Sequence, residues 1–131
     1  MRLTYRAESG APAERVWELM ARPARWHEWA PHVRGARGLG SPEIEPGAHG
    51  TVLLLGALPV PARITGKRRG RSWRWRVGPV EIEHRVKPRA GGSAVIVEIH
   101  APAAVALPLR VTYGPLVVVL VRNLARVASS S

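Results

Sequence analysis

A histidine on an alternating segment is the first residue of this chain that could do chemistry. His84 alternates with Val80, Ile82 and Val86, and this period of two is typical of a β-strand. It should therefore share one face of the strand with three apolar side chains. Because the ordinary pKa of histidine lies near neutrality, His84 could bind a ligand oxygen or act as an acid or base. The alternative is a structural histidine whose ring is satisfied by a neighbouring polar group or water.

A second candidate is the segment KRRGRSWRWR, residues 67–76, which holds six cations and two tryptophans. Interleaved basic and aromatic side chains are typical of platforms for single-stranded nucleic acid. In a strand, however, Trp73 and Trp75 lie on one face while Arg74 and Arg76 lie on the other. The tryptophans should then form an inner wall and the arginines a solvated face. This favours an apolar inner wall with a solvated outer face over a nucleic-acid platform, with an anionic lipid surface as a further alternative.

Two more tryptophans occur in WHEWAPHVRG, residues 26–35. Trp26 and Trp29 are three apart, so they fall on one side of a helical turn that Pro31 must end. Such indoles either fill a core or contact a ligand. Packing is favoured for Trp29, and Trp26 is the better candidate for ligand contact.

Several kinds of site are excluded by the sequence. His27 and His32 are five apart with a proline between them, whereas zinc binding on a helix needs histidines four apart. The chain has no cysteine and no aspartate, no phosphate-binding or dinucleotide-binding glycine motif, and no serine at a strand-to-helix elbow. Glu98 and His100 share a strand face opposite apolar residues and should form a surface pair. We therefore predict neither a metal site nor a cofactor.

Composition indicates one folded domain, residues 1–131, with 46% hydrophobic residues. The net charge of +11 could attract an anionic partner. Arginine supplies nearly all of this charge, which is typical of GC-rich codon usage, so the charge alone does not imply such a partner. The first residues lack the apolar core of a signal peptide, and the unbroken apolar run Leu116–Val121 is too short for a membrane span. We expect a cytoplasmic protein without a transmembrane segment.

The elements that must position these residues follow from periodicity. RLTYRAES predicts a first strand with Leu3, Tyr5 and Ala7 on one face, and two short helices follow, the second over ARWHEW. Strand segments divided by turns then predict an antiparallel meander. The segments are TVLLLG, PVPARITGKR, SWRWRV, VEIEHRVKP and SAVIVEIHA.

The C-terminal part predicts a long helix from Pro115 onward. Its apolar stripe should be Leu116, Leu120, Leu124 and Val127, packed under the sheet. Val117, Val118 and Val121 would then lie near the opposite side and need a cover, either the irregular segment 101–109 or a second subunit. We favour a homodimer through this helix. Tyr113 and Asn123 could also reach a cavity from around it.

The order and motifs of these elements resemble the START-like helix-grip (SRPBCC) superfamily, in its polyketide cyclase/dehydrase-like branch. The resemblance covers nearly the whole chain but departs from the family at APAAVALPLRVTYGP, before the last helix. It rests on APAERVWELM, WHEWAPHV, PGAHGT, SWRW, EHRV and AGGSAVIVEI.

The resemblance implies an α+β helix-grip fold, in which a curved antiparallel sheet of six to seven strands surrounds a long C-terminal helix. Two short helices after the first strand would close one end of an apolar cavity. The cavity would bind a small, largely apolar molecule, aromatic, polyketide-like or lipid. Alternatives are a cyclase or dehydratase that uses His84 as its base, and a basic protein that binds nucleic acid or membranes. The expected ligand-binding residues are Trp26, Trp29, Trp73, Trp75, His84, Leu116, Leu120 and Asn123.

Overall fold

The computed structural model describes residues 1–30, 32–54, 58–112 and 114–130. Strand β1 is followed by helix α1 and a short 3₁₀ helix, then by six further strands and two helices. The elements are β1 Arg2–Ser9, α1 Ala13–Ala21, the 3₁₀ helix Pro23–Glu28, β2 Val33–Arg37, β3 His49–Leu54, β4 Leu58–Arg68, β5 Ser72–Val77, β6 Val80–Arg89, β7 Gly92–His100, α2 Ala103–Thr112 and α3 Gly114–Ser130.

The seven strands form one antiparallel sheet in the order β1-β7-β6-β5-β4-β3-β2. Strands β2 to β7 are neighbours in sequence, whereas β1 pairs with the last strand, so that Leu3 lies opposite Ile99 and Tyr5 opposite Val97. The predicted curved sheet with two short helices after the first strand is confirmed. As expected, Leu3, Tyr5 and Ala7 turn toward the core while their neighbours along β1 are exposed.

Helix α3 packs against β1, β7 and α1. One tie between these elements is Ser9, whose hydroxyl donates to the carbonyl of Ala125 at 2.8 Å and accepts from the amide of Ala11 at 3.1 Å. Because Ser9 is itself buried, these bonds fix the last residue of β1 against α3.

The prediction of which face of α3 is buried was wrong, because the buried face is rotated by about one residue. Val117, Val121 and Leu124 are buried, together with Ala125 and Ala128. Leu116, Leu120 and Val127 are only half-buried. Leucine and valine occur on several sides of this helix, so apolar spacing alone did not fix its rotation. Of the predicted stripe, only Leu124 belongs to the buried face, which otherwise consists of smaller side chains.

The segment predicted as irregular is helix α2, which packs against α3. Pro102 precedes the helix, and its carbonyl accepts from the amides of Val105 and Ala106 at 2.9 Å. Proline is tolerated at a helix start, whereas Pro108 lies inside α2. Pro31 and Tyr113 lie outside the described residues.

Candidate functional site

A cavity of about 300 Å³ lies between the sheet, α3 and the 3₁₀ helix. Its walls are almost entirely apolar side chains, since alternate residues of β3 to β7 turn inward. The sheet supplies Val52, Val60, Trp73, Trp75, Val77, Val80, Ile82, His84, Val97 and Ile99; the 3₁₀ helix and the residues after it supply Trp26, Trp29, Ala30, His32 and Val33; and α3 supplies Val117, Leu120, Val121 and Leu124.

The alternation of β5 places its tryptophans and arginines on opposite faces, as predicted. Trp73 and Trp75 line the cavity, while Arg74 and Arg76 are exposed. The two guanidinium groups lie 3.9 and 3.5 Å from the carboxylate of Glu81 on β6. The basic groups of this segment therefore cannot reach a molecule that stacks on its indoles.

An aromatic cluster forms one wall of the cavity. Trp26 stacks on Trp73 with ring centroids 5.5 Å apart and an interplanar angle of 10°. His84 also stacks on Trp73, with ring centroids 3.9 Å apart and an interplanar angle of 10°. Trp75 meets the Trp26, Trp73 and His84 rings edge-on at 5.4, 5.3 and 5.9 Å. Offset and edge-to-face contacts of this kind fix ring orientation as well as burying area.

The hydrogen bonds of the indoles divide the cluster into two groups. Trp26 donates to the carbonyl of Met20 and Trp29 donates to that of Leu19, both at 2.9 Å, which anchors the 3₁₀ helix to α1. The indole nitrogens of Trp73 and Trp75, by contrast, are buried without a partner among the described residues. Unpaired buried donors are uncommon in proteins, so these two nitrogens are candidates for a ligand contact.

His84 is 8% exposed and lies on the inner face of β6, as its alternation predicts. Burial lowers its pKa from the ordinary 6.5 to about 3, because the charged ring would lose its hydration, and the backbone of Trp73 opposes the shift only in part. Its Nδ1 atom has no hydrogen-bond partner among the described residues. At neutral pH, His84 is therefore an uncharged imidazole.

A second histidine in the wall was not predicted. His32 follows the 3₁₀ helix and lines the cavity, and burial lowers its pKa as well. Its Nδ1 also has no partner within the described part of the chain. From its spacing to His27, His32 was a candidate only for a metal site, which that spacing excluded. Its place next to the buried Val33, at the start of a strand, was the signal that could have identified it.

Two residues expected at the site lie elsewhere. Among the described residues of α3, Val117, Leu120, Val121 and Leu124 line the cavity, and Leu116 and Asn123 do not. This follows from the rotation of the helix described above. The carboxamide oxygen of Asn123 accepts a hydrogen bond from Arg126 at 3.1 Å, on the exposed side.

Other kinds of site have little support in the described residues. Within residues 1–30, 32–54, 58–112 and 114–130, no three histidine, aspartate or glutamate side chains come together in a way that could hold a metal ion. Glu98 and His100 form the expected pair, 2.9 Å apart, on the outer face of β7. No helix within the described ranges is long and apolar enough to cross a membrane.

Comparison with known proteins agrees with this architecture. A structure from Nitrosomonas europaea, protein NE0264, superposes with a TM-score of 0.79 at 12% identity, covering 99% of this chain and 95% of that one. Protein BH1534 from Bacillus halodurans gives a TM-score of 0.71 at 17% identity over 98% and 96% of the two chains. A solution structure from Thermobifida fusca gives 0.75 at 19% identity over 96% and 94%.

These structural likenesses show the fold alone. No curated protein matches the chain significantly. A family profile described as polyketide cyclase / dehydrase and lipid transport matches residues 1–128. With its helix-grip sheet and C-terminal helix, this chain belongs to the polyketide cyclase / dehydrase and lipid transport family.

Proposed function

We propose that this protein binds a small, largely apolar molecule inside its cavity. The observation that carries the proposal is an apolar space of about 300 Å³ enclosed by the sheet and α3. Ligand sites are typically concave, mostly apolar and provided with a few polar groups. Here the wall contains four such groups that have no partner among the described residues: the indole nitrogens of Trp73 and Trp75 and the Nδ1 atoms of His32 and His84.

The dimensions and charge of the cavity limit what can bind. A cavity of roughly 150 Å³ accommodates one benzene ring, so about twice that volume fits a molecule of about two rings. The only titratable side chains in its wall, among the described residues, are His32 and His84. Both have lowered pKa values, so the wall carries no charge at neutral pH. Because an ionised ligand would be buried without a counter-charge, the ligand should be neutral.

Titration with the neutral two-ring dye 6-propionyl-2-dimethylaminonaphthalene, which fluoresces more strongly in apolar surroundings, tests this proposal. We expect saturable binding to one site. Val121→Phe should abolish it, because Val121 is 3% exposed and lines the cavity. Val119→Phe makes the same change on the outer side of the helix, where the residue is 51% exposed, and should bind as the wild type does.

Two outcomes of that titration would contradict the proposal. Equal loss of binding in both variants would assign the dye to the protein surface, and no binding by the folded wild type would leave the cavity without a ligand. Circular dichroism should show that both variants fold. If Val121→Phe does not fold, Leu120→Phe places extra volume at a half-buried position of the same wall.

Catalysis on the same fold is the second candidate, with His84 as general base. Its pKa of about 3 makes it a weak base, since a general base works best with a pKa near the working pH. Only a ligand that raises the pKa of His84 would make it effective. An NMR titration of the His84 ring in a ligand complex decides the matter. A pKa that stays low would exclude acid–base catalysis by His84.

The remaining alternatives have weaker support. Binding of nucleic acid would require bases to stack on Trp73 and Trp75, which face the cavity; any binding should therefore be weak and lost near physiological salt. The homodimer predicted from the sequence stays a prediction. Its original basis has changed, because Val117 and Val121 pack inward instead of facing a partner. The cytoplasmic location also stays a prediction.

A further inference from the structure

Most of the exposed large hydrophobic side chains in the described part of the chain lie on the two C-terminal helices. Among the described residues, the large hydrophobic side chains that are exposed are Met1, Leu107, Val111 and Val119, at 62, 61, 71 and 51%. Three of them lie on α2 and α3. The fourth, Met1, lies beside the start of α2, because its ammonium group donates to the carbonyl of Ala101 at 2.8 Å.

Helical spacing arranges these residues in two stripes. Leu107 and Val111 are four residues apart and therefore share the outer face of α2. On α3, Val119, Arg122 and Arg126 follow at intervals of three and four residues and are all exposed. Arg110, next to Val111, is exposed as well. We call the exposed side chains of α2 and α3 the α2–α3 face; it combines apolar residues with arginines.

The charge of the α2–α3 face has one sign. All nine acidic residues of the chain lie at or before Glu98, so α2 and α3 contain arginines and no carboxylate. On the sheet, by contrast, Arg74 and Arg76 lie near the carboxylate of Glu81. Arginines are therefore the only charged side chains of the two helices themselves, although Glu81 and Glu83 line a surface depression with Met1 and Pro102 at the start of α2. Apolar residues combined with basic ones are typical of a helical surface that binds at an anionic membrane interface.

We propose that the α2–α3 face docks on an anionic lipid surface. Leu107, Val111 and Val119 would enter the boundary between headgroups and acyl chains, and Arg110 and Arg122 would contact lipid phosphates. A second copy of the chain fits this face less well. A two-fold axis would pair the face with its own copy, so that both sides would bring arginines and neither side a carboxylate to pair with them. The proposal does not depend on what the cavity binds.

Flotation with lipid vesicles tests the proposal. We expect binding to vesicles of phosphatidylcholine mixed with phosphatidylglycerol, weaker binding at higher salt, and little binding to phosphatidylcholine alone. Leu107→Ser combined with Val111→Ser should weaken binding at least about tenfold, because both side chains are exposed and would be buried in lipid. Arg122→Ser should weaken it about fivefold, the contribution of one cation near an anionic surface.

Arg68→Ser is the matched control, since it also removes an exposed arginine, at the end of β4 and outside the α2–α3 face. It should change binding less than Arg122→Ser does. A larger loss with Arg68→Ser would move the docking site to the end of β4 and overturn the proposal. Absence of vesicle binding, or a concentration-dependent dimer that the double serine variant dissociates, would overturn it too. All four altered positions are exposed, so circular dichroism should show unchanged folding.

Discussion

Replacing His84 by leucine should make the free energy of unfolding depend less on pH on the acid side of neutrality. His84 is buried, and its ring lies 3.9 Å from that of Trp73. A proton on this ring would place an unpaired charge in an apolar wall, which is why burial lowers its pKa to about 3. Leucine has a similar volume and takes up no proton. The two proteins should therefore respond differently to pH.

The magnitude follows from the pKa values of His84 in the two states. The unfolded chain binds a proton near pH 6.5 and the folded chain only near about 3. Between these values the unfolded state holds more protons, so stability is complete above the unfolded pKa and falls as the pH is lowered. The loss is about 1.4 kcal/mol per pH unit, and thus on the order of 3 kcal/mol two units below the unfolded pKa.

Urea unfolding of both proteins between neutral and mildly acid pH measures this loss. Other groups also titrate, among them Glu28, whose pKa is lowered mainly by its hydrogen bond from Arg25. His32, whose pKa is lowered by burial, contributes a slope of the same sign as His84. Both groups are present in both proteins, so the difference between wild type and His84→Leu isolates His84. A difference that stays constant across the pH range would refute the reasoning and place His84 in contact with water or a counter-charge.

Two further predictions concern stability and use urea unfolding. Trp73→Ala should cost about 3–5 kcal/mol, because the indole is 1% exposed within the aromatic cluster. Arg74→Ala should change stability by less than about 0.5 kcal/mol, since its ion pair is exposed; similar losses at both positions would contradict the assignment of faces. Ser9→Ala should cost about 1–3 kcal/mol, because the buried amide of Ala11 loses its acceptor, whereas the carbonyl of Ala125 keeps the Ser129 hydroxyl as a donor. Tolerance of this change would mean that water replaces the hydroxyl.

The sheet and its inner face could be predicted from sequence because the period of two is unambiguous in β5 and β6. Trp73, Trp75 and His84 alternate with charged side chains, so a single choice of face places every one of them. That choice was enough to locate most of the aromatic wall. The stacking of His84 on Trp73, by contrast, depends on cross-strand register, which pairs these two residues directly. Residue spacing within one strand does not contain that information.

Helix α3 shows where sequence reasoning stops. Leu116, Leu120 and Leu124 follow helical spacing, and so do Val117, Val121 and Leu124. With apolar residues on several sides, hydrophobicity does not choose between these rotations. Contact with β1 fixes the rotation of α3, because the hydroxyl of Ser9 donates a hydrogen bond to the backbone carbonyl of Ala125. Such a contact joins residues far apart in sequence, so no local pattern predicts it.

The prediction that segment 101–109 is irregular was wrong for a related reason. Its prolines argue against a helix, yet Pro102 accepts the first hydrogen bonds of α2 and stabilises its start. Packing of α2 against α3 then outweighs the interruption at Pro108. Leu107 and Val111 nevertheless lie on the exposed side of α2.

NMR spectra of the five tryptophan indole N–H groups during titration with naphthol test the central claim most directly. Trp26, Trp29, Trp73 and Trp75 line the cavity. Trp17 does not, and its indole donates to Glu43 at 3.1 Å on another side of α1. If a small neutral aromatic molecule binds in the cavity, the four cavity signals should shift with one common saturation curve while the Trp17 signal stays in place. Unchanged cavity signals, or a shift largest at Trp17, would contradict ligand binding inside the sheet.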